Sequence, residues 1–420
     1  MSQTQVAAGS SLANKVISAA LFTQTTRAPG FSRNITGPAP KQSDAEAKMK
    51  GQTSPDMPIV RVTDLSKTAG DTITVDMFNT VGGKPTVGDA NAEGTGSALT
   101  SSSMEVAINL LTKVVDAGGK MAQQRTKHQL RGLAMAQMAA YFPRLDDQQT
   151  LVHLAGARGG QTGIDWVVPV STDSDFTSIM INTVKAPTYN RHYVADGTSL
   201  VQGGAQLASI ASDDTFKLEH LDGLRYLLNT MEFPLQPIKI ADDPAAADEP
   251  LWVFYCSAAQ WNSILTNTSN TVWRTMLQHA WNRKSYGSKH PLFSGETGIW
   301  NGILIRKMDR FAIEFAASST TKHITSGNAA TATETDVTVN AKTHRGLLLG
   351  AQALANVYGK SQGSDYYMNW MERPYNFERN LEVAADVMGG KAKLRFNYPN
   401  SDGSVTPTDH GVIAVDTAVA

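Results

Sequence analysis

The chain has little charge, almost no cysteine and no long apolar run. Charged residues make up 18% of its 420 positions, against about 25% in typical soluble proteins. The formal net charge of −1 excludes wholesale attraction to nucleic acid, and the low charge favours a surface that neighbours cover. A single cysteine, Cys256, excludes an internal disulfide and fits a reducing compartment. No apolar run approaches the roughly 18 residues that span a bilayer, so we expect neither a membrane partner nor a signal peptide.

The residue patterns that mark enzymes are also missing. The nine histidines include no pair at the spacing that zinc sites use. Cys256 lies in the apolar run WVFYC, which favours a buried structural thiol over a nucleophile. Ser294 has Leu292 where an acyl-transfer elbow needs glycine, and Pro85 stands where a phosphate loop needs serine or threonine. We therefore expect no catalytic residue, no metal site and no cofactor.

Two pairs of adjacent acids are the remaining candidates for acid–base chemistry. They are Asp146 with Asp147 and Asp213 with Asp214. Adjacent side chains point apart, so we interpret both pairs as caps of helix ends and turns. A hydrolase whose acid and base lie far apart in sequence stays open as an alternative.

Residues 1 to about 58 have the composition of a mildly basic arm. The segment is rich in serine, threonine, alanine and glutamine, and Arg27 and Arg33 are among the basic residues that precede its first acid, Asp44. Two interpretations remain open, a disordered terminus and an arm that becomes ordered in a complex. In the second, Arg27 and Arg33 are candidates for inward-facing groups that meet a polyanion or the acids of a partner protein.

Residues 59 to 116 predict a long two-stranded ribbon. Apolar and polar residues alternate on an outgoing and a returning strand, and residues 82 to 102 between them are rich in glycine, serine and threonine. A sheet of only two strands is marginally stable in water. Its apolar face therefore needs a partner surface, either in this chain or on another copy. We predict contacts with a neighbouring subunit through Ile73, Val75, Met77, Val106 and Ile108. A hairpin folded back on its own domain is the alternative.

The longest helical pattern covers residues 120 to 142, and Pro143 is expected to end it. Lys127 and Arg131 belong to a basic stretch with no acid between Lys120 and Asp146. The helix is therefore expected to face a polyanion or acids from a neighbouring element. Lys127 and Arg131 join Arg27 and Arg33 as inward-facing candidates.

The rest of the chain mixes strands and helices, so the fold class is α+β. Residues 290 to 306 alternate glycines with aromatic and aliphatic residues, which predicts a bent loop leading into a half-buried strand. Near the end, Gly389 and Gly390 predict the turn of a hairpin between residues 381 to 388 and 391 to 398. A last strand at residues 412 to 415 is expected to return to the same sheet.

Taken in order, these segments resemble the major capsid proteins of tailed bacteriophages, in particular the family typified by the N4-like phages. The resemblance covers nearly all of the chain after the arm. It is carried by residues 123 to 160, which include LAGARG, and by APTYNRHYVADG, PLQPIKI, WVFYCSAAQWNSI, PLFSGETGIWNGILI and HGVIAVDTA.

The resemblance implies a Hong Kong 97-type fold. Its parts would be an N-terminal arm (1–58), an extended β-ribbon loop (59–116), a peripheral domain built on a long spine helix (117–250), an axial domain (about 251–359) and a return to the peripheral domain (360–420). Residues 163 to 250 exceed the length of a minimal member. Phe293, Glu296 and Trp300 would lie in or near a loop of the axial domain.

The resemblance also implies a non-enzymatic role. The protein would assemble in the cytoplasm of a host bacterium into the hexamers and pentamers of an icosahedral virion shell that encloses double-stranded DNA without reading its sequence. Its partners would be its own copies, a separate scaffolding protein, a portal and an optional decoration protein. A portal or tail protein is the alternative within the virion.

Overall fold

The computed structural model describes residues 30–37, 53–63, 70–78, 85–87, 101–163, 165–240, 250–285, 297–308, 310–360, 367–400 and 404–419, with single positions 21 and 93. The helices are α1 (Phe31–Asn34), α2 (Lys120–Arg125), α3 (Leu130–Ala155), α4 (Phe176–Met180), α5 (Leu218–Thr230), α6 (Ala258–Asn267) and α7 (Asn270–Ser285), with 3-10 turns at Tyr189–Arg191 and Gly204–Ala208. Within these ranges, no helix has both the length and the hydropathy to cross a membrane.

The strands are numbered in chain order. They are β1 (Ile59–Val62), β2 (Thr72–Phe78), β3 (Ser101–Ala107), β4 (Asn109–Gly119), β5 (His192–Asp196), β6 (Ser199–Gln202), β7 (Trp252–Ser257), β8 (Thr297–Trp300), β9 (Ile303–Met308), β10 (Ile313–Phe315), β11 (Thr320–Ile324), β12 (Glu334–Thr338), β13 (Thr343–Leu349), β14 (Leu354–Tyr358), β15 (Met368–Tyr375), β16 (Asn380–Lys393), β17 (Arg395–Pro399), β18 (Val405–Asp409) and β19 (Val412–Ala418).

An eight-stranded sheet forms the larger of two layered cores. Its strand order is β6-β5-β19-β13-β7-β9-β8, and β10 pairs with the start of β13. Apolar residues of α5, α6 and α7 cover one face, and the last turns of α3 cover the other. Strands buried on both faces read as continuous apolar runs, which explains segments such as WVFYC.

A five-stranded sheet packs against the same long helix. β16 is its central strand: β15 and β14 pair along one edge, β4 pairs along the other, and β1 lies parallel to β14. The side of the sheet that faces α3 buries Met368, Trp370, Val383 and Ala385 against that helix. The mixture of helices and sheets agrees with the expected α+β class.

The long helix does not have the predicted bounds. Residues 120 to 142 contain the short helix α2 and only the first half of α3, and α3 continues through Pro143 to Ala155. Proline inside a helix costs roughly 3 kcal/mol, whereas burying a leucine or valine side chain contributes about 1.5–3 kcal/mol. Leu151, Val152 and Leu154 are almost fully buried, so the free energy gained by burying the second half of the helix exceeds the cost of the proline.

The helix passes through Pro143 and ends at Gly156. Proline cannot donate to the carbonyl of Ala139, four residues earlier, and the Nε of Arg144 donates to the neighbouring carbonyl of Ala140. Gly156 adopts φ 67°, the left-handed conformation that terminates helices, and its N–H donates to the carbonyl of Val152.

The predicted turn at Gly389 and Gly390 was wrong. Both glycines lie inside the 14-residue strand β16, and the hairpin turn lies earlier, between β15 and β16, where Asn376, Phe377 and Glu378 have positive φ angles. A side chain on Gly390 would overlap the carbonyl oxygen of Ala107. Glycine is needed at this position because another strand crosses closely, and no turn is involved.

The predicted return of the last strand was also wrong. β19 lies in the eight-stranded sheet between β5 and β13, and not beside β16. Conversely, β14, from the segment expected to be axial, lies in the five-stranded sheet with β16. Each sheet therefore combines segments from several of the expected regions, and the assignment of peripheral and axial domains stays a prediction.

Substituting Gly390 should test the close crossing. We expect Gly390→Ala to lower the free energy of unfolding by about 1–3 kcal/mol, because a backbone carbonyl cannot move aside easily. Gly163→Ala is the matched control, since no heavy atom of the described chain lies within 4 Å of its added Cβ. Urea unfolding of both variants measures the difference, and equal stabilities would contradict the crossing.

Candidate assembly surface

The chemistry-bearing side chains serve structural roles in the part of the chain that the structure describes. No cluster of histidine, cysteine and carboxylate residues there could hold a metal ion. Cys256 is fully buried, and burial raises the pKa of its thiol, which keeps it from acting as a nucleophile. Asp214 accepts from the N–H groups of Gly197 and Ala211, as expected for a turn cap. Asp146 and Asp147 lie in the middle of α3 and not at a helix end, although Asp147 accepts from the backbone N–H groups that begin α1.

A buried ion pair joins the spine helix α3 to the eight-stranded sheet. Arg345 on β13 donates from Nε and Nη2 to the two carboxylate oxygens of Asp416 on β19, each over 2.7 Å. Its Nη1 donates to the carbonyl of Ala155, the last residue of α3, over 2.9 Å. His192 on β5 adds a 2.7 Å contact between Nε2 and Oδ2 of Asp416. All three ionisable residues are fully buried.

The charges of this cluster are set by its geometry. Burial opposes ionisation of Asp416, but Arg345 outweighs that penalty and holds the pKa of the carboxyl at about 2. Burial and the charge of Arg345 lower the pKa of His192. The imidazole is therefore neutral at physiological pH, and a bidentate Arg–Asp pair carries the charge.

Breaking this pair should be costly. We expect Arg345→Met to lower the free energy of unfolding by about 3–5 kcal/mol, because it leaves the Asp416 carboxylate buried without its partner. Arg310→Met is the control: its ion pair with Asp165 has side chains 66% and 38% exposed, so at most about 1 kcal/mol is expected. Denaturant unfolding distinguishes the two, and a small loss in Arg345→Met would show that the pair does not join the elements.

Three more histidines are buried in their neutral form. Burial lowers the pKa of His153 to about 3, and burial with Lys217 lowers that of His220 to about 4. Burial with Arg191 lowers the pKa of His410 to about 4. Each ring accepts a proton in the unfolded chain well before it does so in the folded one.

Stability should therefore fall on mild acidification. Below about pH 6.5, the ordinary pKa of histidine, the unfolded chain binds protons that the folded chain does not bind. Each of the three histidines therefore lowers the free energy of unfolding by up to about 1.4 kcal/mol per pH unit, until the pH reaches the pKa of that histidine in the folded chain. Thermal unfolding between pH 7 and pH 4.5 measures this slope. His153→Gln should flatten it by about one proton, and His128→Gln, at an exposed site, should leave it unchanged. Equal slopes in all three proteins would contradict the assignment.

The described part of the arm is docked on the spine helix. Asp147 accepts from the backbone N–H groups of Phe31 and Ser32 and from the Ser32 hydroxyl, so this carboxylate of α3 caps the first turn of α1. Thr36 forms a parallel bridge with Ile59, which extends the five-stranded sheet by one short contact. Residues 30 to 37 are therefore ordered within one copy, which neither interpretation of the arm had predicted.

A second carboxylate of the spine connects this region to the five-stranded sheet. The Oδ1 of Asp146 lies 2.6 Å from Nζ of Lys391, a lysine that is almost fully buried on β16. The Tyr358 hydroxyl donates to the same Oδ1 over 3.2 Å. Burial works against ionisation here, yet Lys391 lowers the pKa of Asp146.

The predicted antiparallel pairing of the ribbon is confirmed for β2 and β3, but the ribbon is shorter than residues 59 to 116, because β1 and β4 lie in the five-stranded sheet. The apolar face of the ribbon contacts its own chain, however: Met104 and Val106 are buried against β1, β14 and β16, and Ile73, Val75, Met77 and Ile108 are partly buried there. The predicted inter-subunit contact needs correction for Val106, which is fully buried within one copy. For Ile73, Val75, Met77 and Ile108 it stays a prediction.

The base of the ribbon is held by an amide side chain. Oδ1 of Asn182 accepts from the N–H of Ala107, and its Nδ2 donates to the carbonyls of Ala107 and Lys391. Ala107 is also the residue whose carbonyl excludes a side chain at Gly390. The end of β3, where the ribbon leaves the domain, is thus held by Asn182 and by the close approach of β16.

The outer face of the five-stranded sheet leaves apolar side chains uncovered. Met371 on β15, Ala384 on β16 and Val114 on β4 are direct cross-strand neighbours, and Met371 and Val114 are 47% and 51% exposed. Leu110, opposite Met388, is 45% exposed on the same face. At the tip of the β15–β16 hairpin, Phe377 is 95% exposed. Apolar side chains grouped in this way mark an interaction surface.

The basic candidates are scattered in the structure. Arg131 on α3 forms a bidentate pair with Glu372 of β15, with contacts of 2.8 to 3.1 Å, so its charge is matched by an acid of a neighbouring element. Lys127 is exposed but lies in the break between α2 and α3, which corrects its predicted place on the helix. Arg33 is exposed on α1, and Arg27 lies outside the described residues. A shared inward-facing role for these four stays a prediction.

The glycine-rich segment near residue 300 is a tight hairpin. Asn301 and Gly302 adopt positive φ between β8 and β9. The second strand is buried on both faces, and not half-buried as expected, because β7 and β8 flank it and both cores cover it. Trp300 donates from Nε1 to Oδ1 of Asp222 over 2.9 Å, and the predicted loop residues Phe293 and Glu296 lie outside the described residues.

Sequence reasoning missed the polar side chains of the second half of α3. Gln148 accepts from the N–H groups of Val167 and Val168 and donates to the carbonyl of Asp165. Gln149 and His153 contact the carbonyls of Ile179 and Met180. The amide-rich run DQQT within an otherwise apolar helix was the available signal, since buried amides need partners.

Solved phage capsids share this arrangement. The chain superimposes on the capsid of Ralstonia phage GP4 with a TM-score of 0.68 and 23% identity, over 87% of this chain and 88% of that one. The cyanophage Pam1 capsid gives a TM-score of 0.58 and 17% identity over 87% and 89%. The head of Helicobacter pylori bacteriophage KHP40 gives 0.56 and 12% over 92% and 90%. No protein of curated function matches the chain by sequence.

These superpositions show the Hong Kong 97-type fold that the resemblance implied. The family model described as phage capsid protein matches residues 5–420. The chain therefore belongs to the phage capsid protein family, whose members form the shell of the phage head.

Proposed function

We propose that this capsid protein forms the hexamers and pentamers of an icosahedral head that encloses double-stranded DNA. The observation that carries the proposal is the uncovered apolar face of the five-stranded sheet, with Met371, Val114 and Leu110 about half exposed. Repetition of a modest contact by symmetry closes a stable shell without strong pairwise affinity.

The ribbon supplies a second surface for neighbouring copies. Its inner face is taken up by its own chain, but among the described strands β2 pairs with β3 alone, so the other edge of β2 has no strand partner there. Thr72, Thr74 and Asp76 make the outer face polar and exposed. Edge strands of this kind are suited to contacts with another chain, and polar faces keep the free subunit soluble.

The partners other than the chain itself are part of the proposal. Lys127 is exposed and fits a nonspecific lining for packaged DNA, whereas Arg131 is already matched by Glu372. A separate scaffolding protein, a portal and an optional decoration protein complete the set, with assembly in the cytoplasm of the host. We propose no enzymatic turnover, because the buried acids and histidines of the described chain serve the fold.

Charged substitutions on the uncovered face test this role. We expect Met371→Glu with Val114→Glu to fold with a loss of at most about 1 kcal/mol, since both sites are on the surface. Shell yield should nevertheless fall at least about tenfold, because each copy would bury two carboxylates in an assembly contact. Sedimentation and electron microscopy of particles from cells producing the variant with the other head proteins give the yield.

Leu265→Glu on α6 is the matched control, since this apolar side chain is 41% exposed outside that face. It should leave the yield of closed shells near the wild-type level. Normal shells from the double variant would remove the uncovered face from the assembly surface. Rings of fixed copy number from the wild-type protein would instead support a portal or tail component.

A further inference from the structure

A polar pocket of about 190 Å³ lies at the base of the ribbon, between β3 and the end of β16. Its lining includes Glu105 of β3, Lys393 of β16, and Lys185 from the segment that connects α4 to the first 3-10 turn. The volume is below the roughly 300–1,000 Å³ of sites for drug-sized ligands, so the pocket suits a small ion better than a larger organic molecule.

One carboxylate serves several cations beside this pocket. The Oδ1 of the buried Asp409 accepts from Nε of Arg395 over 2.8 Å, and its Oδ2 lies 2.7 Å from Nζ of Lys393. The backbone carbonyl of Asp409 accepts from Nε of Arg191. Lys185 is near the same group, because the charges of both Arg395 and Asp409 shift its pKa. Four cations therefore surround one buried carboxylate.

The two lysines of the lining have hydrogen-bond donors to spare. An ammonium group has three N–H donors, and the contact with Asp409 occupies only part of those of Lys393, whose Nζ is shielded from solvent. Lys185 is partly buried, and its side chain forms no ion pair or hydrogen bond within the described chain. Burial lowers the pKa of Lys393 to about 8 and also lowers that of Lys185. Buried donors without partners cost free energy, so a ligand that accepts from both lysines would be favoured.

The other ionisable groups of the described lining leave the pocket positive. Glu105 is exposed and forms no ion pair within the described chain. His153 is neutral, because burial lowers its pKa to about 3, and its Nε2 contacts the carbonyl of Met180 over 3.2 Å. With one exposed acid against the excess of cations, the local field favours an anion.

We infer that this pocket binds a small tetrahedral oxyanion of the phosphate class. The oxyanion accepts hydrogen bonds from the ammonium groups of Lys185 and Lys393, which bind phosphate as point charges. Because β3 and β16 both line the pocket, the bound ion joins the ribbon to the five-stranded sheet, beside the contacts that Asn182 makes. The site belongs to the single subunit and does not depend on shell formation.

DNA is a second source of phosphate groups, and a poorer one for this pocket. A duplex presents its phosphates on a wide convex surface, whereas Lys393 is only 3% exposed. A free phosphate ion is small enough to enter. The two sources are distinguished by comparing inorganic phosphate with a 20-base-pair duplex.

Isothermal titration calorimetry of inorganic phosphate into the unassembled full-length protein, at constant ionic strength, tests the site. Lys185→Met should weaken phosphate binding at least about tenfold, the usual effect of losing a hydrogen bond to a charged group. Lys120→Met removes an exposed lysine of α2 and is the matched control, which should bind phosphate as the wild type does. Glu105→Gln should tighten binding, because it removes the negative charge of the described lining.

Thermal unfolding and hydrogen exchange separate ligand binding from a change in folding. Without phosphate, Lys185→Met should unfold no earlier than the wild type, because it removes a cation that lies near Arg395. Phosphate should raise the unfolding midpoint of the wild type and of Lys120→Met, and not that of Lys185→Met. Hydrogen exchange of residues 101 to 107 should slow in the same two proteins when phosphate is added.

No phosphate binding by the wild type, or equal binding by Lys185→Met and the wild type, would overturn the inference. Binding of the duplex but not of inorganic phosphate, lost in Lys185→Met, would overturn it in favour of nucleic acid. Shell yield enters none of these measurements, so the proposed function is tested separately.

Discussion

Arg345 donates to Asp416 and to the last carbonyl of the spine helix without any contact with solvent. Elements far apart in sequence, α3, β13 and β19, therefore meet at one ion pair, and β5 joins them through His192. Because a buried charge without its partner costs several kcal/mol, these elements cannot separate one at a time. The spine helix and the eight-stranded sheet thus form one unit, and both the arm and the five-stranded sheet contact the spine helix.

Local patterns predicted the local elements well. The ribbon strands were predictable because apolar and polar residues alternate along a strand when only one of its faces is buried. The strand β7 was predictable from its apolar run WVFYC, and α6 from the spacing of the apolar residues that follow. The apolar residues of β4 were harder to interpret. Its sequence NLLTKVV has apolar residues on both faces, so nothing in it indicates that Leu111 and Val115 pack on α3 while Leu110 and Val114 remain exposed.

The errors arose where distant contacts decide a local structure. Pro143 is a helix breaker by local rules, and only the burial of the following turns keeps α3 intact. Gly389 and Gly390 have the composition of a turn, but the requirement for glycine comes from Ala107, a residue almost three hundred positions away along the chain.

The carboxyl-terminal part of β16 connects the ribbon and the arm. Gly390 contacts the base of the ribbon, and the next residue, Lys391, contacts Asp146, whose neighbour Asp147 holds the arm helix. Ribbon and arm are thus coupled through two pairs of consecutive residues. A force that pulls the ribbon sideways would be transmitted along this short path to the arm, so these two parts of a subunit would shift together.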